Sequence, residues 1–182
     1  MIFNNNFRGR LKRNRAGKAD RPMVRTEMTP IDWLLEACAI VGLMIFMGYI
    51  IYYFPRLPET IPSHFDGAGK PDDYAEKATM WFLPAIAMFI YILFSVIVLI
   101  PHQFNYTVKI TPANAPKQYA MALRLIRYLK AALTWMFFYI SYATIQVSLN
   151  KGSGLGIGFI PVVFGGILIP LFIYMIVAYR NR

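Results

Sequence analysis

The chain has 182 residues, 57% of them hydrophobic and only 15% charged, with a mean hydropathy of +0.44. Soluble domains carry about 25% charged residues, so this composition excludes an ordinary soluble enzyme and points to an all-α integral membrane protein. The net charge of +10 is concentrated near one end, in a stretch without interleaved aromatics, and does not indicate nucleic-acid binding.

Four continuously apolar runs reach the roughly 20 residues that a helix needs to cross a hydrocarbon core about 30 Å thick. They cover residues 31–54, 79–100, 131–149 and 155–178, and predict four transmembrane helices within a membrane domain over 29–182. Ahead of them, residues 1–28 hold eight Lys and Arg, read as a disordered cytoplasmic arm lying on anionic lipid. The first run outlasts the h-region of a signal peptide, about 7 to 15 residues, and ends in YYFPRLP without small residues for cleavage; it is read as a retained helix.

Thr29-Pro30-Ile31-Asp32 predicts the start of that helix, with an N-cap, a proline in the first turn and an acid at the third position. Glu36 follows Asp32 on the same face and is the carboxylate lying deepest in a span, which makes it a candidate for proton or cation movement. The lone Cys38 rules out an intramolecular disulfide and reads as a small buried hydrophobe.

Residues 55–78 then form a loop dense in prolines, glycines and acids. Ser63, His64 and Asp66 are the ingredients of a hydrolase triad, but lie too close in sequence for the imidazole to bridge the other two. His64 with Asp66, Asp72 or Asp73 offers metal-ligand chemistry at a spacing that matches neither an EF-hand nor a zinc helix pair, so no metal and no cofactor is expected. The structural alternative has Pro58, Pro62 and Pro71 stiffening the loop, Asp66-Gly67 and Gly69 making turns, and Asp72 or Asp73 capping a short segment ahead of the second span. Binding candidates are therefore His64, Asp66, Asp72 and Asp73, with Glu36 in the membrane; no catalytic residue is assigned, and an enzyme is not expected.

Beyond the second span, Asn114-Ala115-Pro116 predicts another helix start. Arg124, Arg127 and Lys130 recur every three residues between apolar neighbours, an interfacial pattern that predicts lipid-headgroup contacts. Glycines 152, 154, 156 and 158 predict a tight turn before the last span and close helix contact, extended by Gly165 and Gly166.

Orientation follows from charge. Fifteen of the 19 Lys and Arg fall on one side of the four spans and four on the other, so the positive-inside rule puts both termini in the cytoplasm of a multi-pass cytoplasmic (inner) membrane protein. The 55–78 loop is then outside, and holds five of the nine acids.

Leu57-Pro58, Ile61-Pro62, His64-Phe65, Gly69, Pro71-Asp72, Lys77 and Pro84 together resemble the bacterial and archaeal membrane family called domain of unknown function 1648. NYTVKITPANAPKQYAMALRLIRYLK and TIQVSLNKGSGLG resemble its longer members, so the similarity runs from about residue 50 to the end and leaves out the basic arm. The resemblance extends distantly to immunity proteins of the sporulation-delay toxin system, which carry this module with further helices, protect the producing cell and signal toxin presence to a repressor. It implies no catalytic residue, and marks the LPxxIPxHF loop as the contact surface. The expected function is a non-enzymatic membrane protein that senses or binds an extracytoplasmic peptide or protein partner. The alternative is a homo-oligomeric transporter or channel for an ion or small solute, built on Glu36, Gln146 and the glycine-lined fourth helix.

Overall fold

The computed structural model describes residues 21–182, so the first twenty residues of the expected basic arm lie outside the described residues. Mostly helical, the described chain forms four α-helices and one β-hairpin: α1 (Pro30–Tyr53), β1 (Thr60–Phe65), β2 (Pro71–Glu76), α2 (Phe82–Ile97), α3 (Ala115–Ser148) and α4 (Phe159–Arg180). Short 3-10 turns sit at Phe54–Arg56, Lys77–Trp81 and Pro101–Gln103.

α1 begins as its sequence requires. Thr29 is extended, Pro30 takes the first turn, and the Asp32 carboxylate accepts from the Thr29 backbone N–H at 2.9 Å and from its hydroxyl at 2.6 Å. α2 likewise takes Pro84 within its first turn, where a missing N–H costs no ladder bond. Three helical stretches, Pro30–Arg56, Lys77–Ile97 and Phe159–Arg180, are long and apolar enough to cross a membrane. These apolar helices fit a membrane protein.

α3 differs from expectation in extent. The run at 131–149 is only the second half of a 34-residue helix that starts at Ala115 and absorbs the stretch read as interfacial. Nothing between Pro116 and Ser148 breaks a helix, and the polar side chains along it face other helices instead of ending it. Gln118, Arg127, Lys130, Thr134, Ser141 and Thr144 are all buried. α3 is the hub, with α1, α2 and α4 packed on it and β1 against its second half.

The loop at 55–78 also differs, because it is a two-stranded antiparallel hairpin and not a succession of turns. Asp72 and Asp73, expected to cap a segment ahead of the second span, lie inside β2. Pro62 is tolerated because a two-stranded sheet offers each strand a free edge, and the register shifts around His64 absorb the missing donor. β1 turns Ile61 inward, where it joins Leu57, Met80, Ala87 of α2, Ile145 of α3, and Leu43, Phe46 and Ile50 of α1 in a single apolar cluster. That cluster makes the hairpin part of the core. At the opposite end of the bundle, Tyr106 donates to the Pro101 carbonyl at 2.9 Å and packs on Tyr119, and burial pushes its phenol above the ordinary value of 10.

Candidate functional site

Two groups of polar side chains stand out, one at each end of the bundle. The first joins α1 to α3. Asp32 and Glu36 are one turn apart on α1, and Arg124, Arg127 and Lys130 are spaced by three on α3, so each set shares a helix face. The two helices run parallel, with the faces opposed. Arg124 donates from Nε to Asp32 Oδ1 at 3.1 Å, and from Nη2 to Asp32 Oδ2 at 3.3 Å and the Thr29 hydroxyl at 3.0 Å. Arg127 bridges the acids, its Nη1 3.6 Å from Asp32 and its Nε 3.3 Å from Glu36, the latter a charge contact without hydrogen-bond alignment.

Lys130, with 1% of its side chain exposed, donates to Glu36 Oε2 at 2.5 Å and to the Ser95 hydroxyl of α2 at 3.1 Å. It also sits 4.6 Å from the centre of the Tyr91 ring. Burying an amine this deeply is costly unless its donors are satisfied, which these partners do. The parallel register continues up the helices through Trp135 Nε1 to the Cys38 carbonyl at 3.3 Å and Gln146 to the Tyr49 hydroxyl at 3.0 Å.

The trio expected at lipid headgroups is thus divided. Arg127 and Lys130 turn inward to the acids, while Arg124 keeps 40% of its side chain exposed. Glu36 faces these cations, and it lines neither the groove walled by Trp135, Tyr139 and Val163 nor the one walled by Leu35, Leu125 and Ile173. Cys38, read as a buried hydrophobe, lies instead on an exposed face of α1.

The second group is the hairpin. The triad of Ser63, His64 and Asp66 does not assemble, because His64 Nδ1 pairs with Asp72 Oδ1 at 2.6 Å while Asp66 is occupied by its own turn. Asp66 Oδ1 accepts from the backbone N–H of Ala68 at 2.9 Å and of Lys70 at 2.8 Å. Among the described residues, no three His, Cys, Asp or Glu side chains gather as metal ligands. Asp73 accepts from the Tyr74 N–H at 2.8 Å, and both strand residues are exposed. His64 and His102 lie at opposite ends of α2, in β1 and the Pro101–Gln103 turn, so they do not converge on shared chemistry.

Sequence reasoning missed what fastens the hairpin tip. The Gly69 carbonyl accepts from the Leu155 N–H at 2.7 Å, and the two glycine turns are in backbone contact. A Cβ on Gly69, at φ +77°, would stand 2.6 Å from the Gly156 backbone, and one on Gly154 would stand 2.0 Å from the Gly69 oxygen. The signal was present in the pairing of one glycine turn with another, though neither turn names its partner. Gln118 was also missed: from inside α3 it donates to the Ala178 and Asn181 carbonyls, each at 2.9 Å, and satisfies the end of α4.

Residues 39–88 match the family model described as a domain of unknown function, DUF1648. The matched stretch runs from the middle of α1 through the hairpin into the first turns of α2, and leaves out the downstream segments that resemble longer members. No curated protein and no solved structure matches the chain. The helix, inward-facing hairpin and returning helix that hold the LPxxIPxHF residues are the part of the chain that is similar to this family.

Proposed function

We propose that the chain is a four-span, non-enzymatic protein of the cytoplasmic membrane, with both termini inside, which binds an extracytoplasmic peptide or protein segment on its hairpin. The fifteen-to-four distribution of cations supports the orientation. Large apolar side chains exposed around α1, α2 and α4 support insertion, since lipid would cover what water would not tolerate. The uncharged second half of α3, packed among the other three helices, supports a fourth crossing.

The observation that carries the binding reading is the division of the hairpin into two faces. Ile61 is anchored in the core and the tip is fastened to the 152–156 turn, whereas His64, Asp72, Asp73 and Tyr74 stand outside. A preorganised acidic and aromatic surface with free strand edges suits an extended segment that carries basic residues. No observation favours the transport alternative, because Glu36 is engaged by Arg127 and Lys130.

The test is a photo-crosslinking side chain placed at Tyr74, and in a separate variant at the buried Ile61, in intact cells. An adduct with a peptide or protein of the cell envelope is expected from position 74, weakened by Asp72→Asn with Asp73→Asn and absent from position 61. If position 74 yields only lipid adducts or the chain itself, the binding reading fails.

A further inference from the structure

α1 and α4 both pack on α3, and between them a groove of about 340 Å³ opens sideways. Its wall is apolar, with Leu35 of α1, Leu125 of α3, and Pro170, Ile173 and Val177 of α4. Only Arg124 brings a charge to the lining. From Val177 to Pro170 the groove follows α4 for about 10 Å, at 1.5 Å per residue, which is the length of part of an acyl chain.

Arg124 is the one cation of the α1–α3 cluster still open to solvent. Three cations face two carboxylates there, leaving one positive charge over. Arg124 uses Nε and Nη2 on Asp32 and Thr29, and among the described residues no acceptor takes its Nη1. A guanidinium fixed along one edge by a carboxylate presents its other edge to an oxyanion at no further ordering cost.

We propose that this groove holds one anionic phospholipid of the inner leaflet, its phosphate on Arg124 Nη1 and one acyl chain against Leu125 and Ile173. A half-exposed cation and an apolar wall share the one groove, the two surfaces that a phospholipid's headgroup and chain require. The assignment rests on the membrane reading given above. It narrows the headgroup role from three cations to one, because Arg127 and Lys130 are buried and turned toward Asp32 and Glu36, while Arg124 stays 40% exposed.

The full chain, purified in detergent, is titrated with phosphatidylglycerol or with phosphatidylcholine of the same acyl chains, and retained lipid is counted by native mass spectrometry. One retained phosphatidylglycerol is expected, held about fivefold more tightly than phosphatidylcholine, which is what one cation near an anionic lipid is worth. Arg124→Gln removes the preference; so does Asp32→Asn with Arg124→Gln, which avoids leaving a buried carboxylate unpaired. Arg182→Gln, outside the groove, leaves it intact, and Ile173→Trp lowers retention of either lipid by filling the space. Equal retention of the two lipids by the wild type, or a preference that survives both Arg124 variants, overturns the assignment. So does a dimer that Ile173→Trp dissociates, because the groove then holds a second copy. In a parallel reconstitution, failure of the chain to enter lipid discs sinks the membrane reading as well, whereas entry without lipid preference sinks the groove assignment alone.

Discussion

Lys130 has the most to lose from a change of partner. Replacing it with Met leaves Glu36 facing Arg127 alone across a poorly aligned contact, and removal of one member of a buried pair costs about 3–5 kcal/mol. The unfolding midpoint of Lys130→Met in detergent should fall accordingly, and Glu36→Leu in the same chain should restore most of it. A double variant as unstable as the single one would mean that Lys130 is held by Ser95 and Tyr91 instead. Gly42 and Gly48, about 1.7 turns apart on α1, make a second contrast. A Cβ at Gly42 would meet Trp135 Nε1 at 2.8 Å, while at Gly48 it meets nothing within 4 Å. Gly42→Ala should destabilise by about 1–3 kcal/mol and shift tryptophan fluorescence, and Gly48→Ala should stabilise by about 0.5–1 kcal/mol, both read from the same denaturation curves. The Thr29–Asp32 start of α1 was readable because a capping pattern is local. The partners of Asp32 and Glu36 were not, since matching spacings on α1 and α3 acquire meaning only once the two helices are known to run parallel.

The hairpin obeys two kinds of stabilisation. Its exposed His64–Asp72 pair belongs to the class of surface ion pairs worth about 0–1 kcal/mol, so His64→Ala should barely move the unfolding midpoint. Asp66→Ala should cost about 1–2 kcal/mol, because two backbone N–H groups lose their acceptor. At the tip, Gly69→Ala combines a positive φ with a clash against Gly156, whereas Gly67→Ala meets open space. Gly69→Ala should free the tip for proteolysis between Asp66 and Lys70 and leave Gly67→Ala at the wild-type rate; equal rates would mean that the turn contact is dispensable. Prolines and glycines announced a structured loop correctly, yet concealed its strands. Pro62 and Pro71 read as breakers until the inward Ile61 shows that the segment is held by burial and not by β-propensity.

The bundle is organised around its most polar helix, the reverse of what hydropathy alone suggests. Apolar α4 buries only Ala178 among its residues, while α3 carries the buried charges and amides. The four runs were readable as apolar length, but the hub was not, because burial between helices and burial in lipid select different residues. Topology is checked by single cysteines in a Cys38→Ala background. Ser153→Cys should react with an impermeant maleimide added outside intact cells, and Ala113→Cys only after the membrane is opened; the reverse pattern would invert the proposed orientation. Cys38 itself, exposed on α1 inside the apolar stretch, should stay unlabelled until detergent is added. The parallel ion-paired register of α1 and α3 also has a consequence for biogenesis. Asp32 and Arg124 are 92 residues apart, so at roughly 5–20 residues per second a nascent α1 waits about 5 to 20 seconds for its counter-charges to leave the ribosome. In the proposed orientation its two carboxylates would wait during that interval at the cytoplasmic edge, where water still reaches them, and the helix would settle to its final depth when α3 arrives.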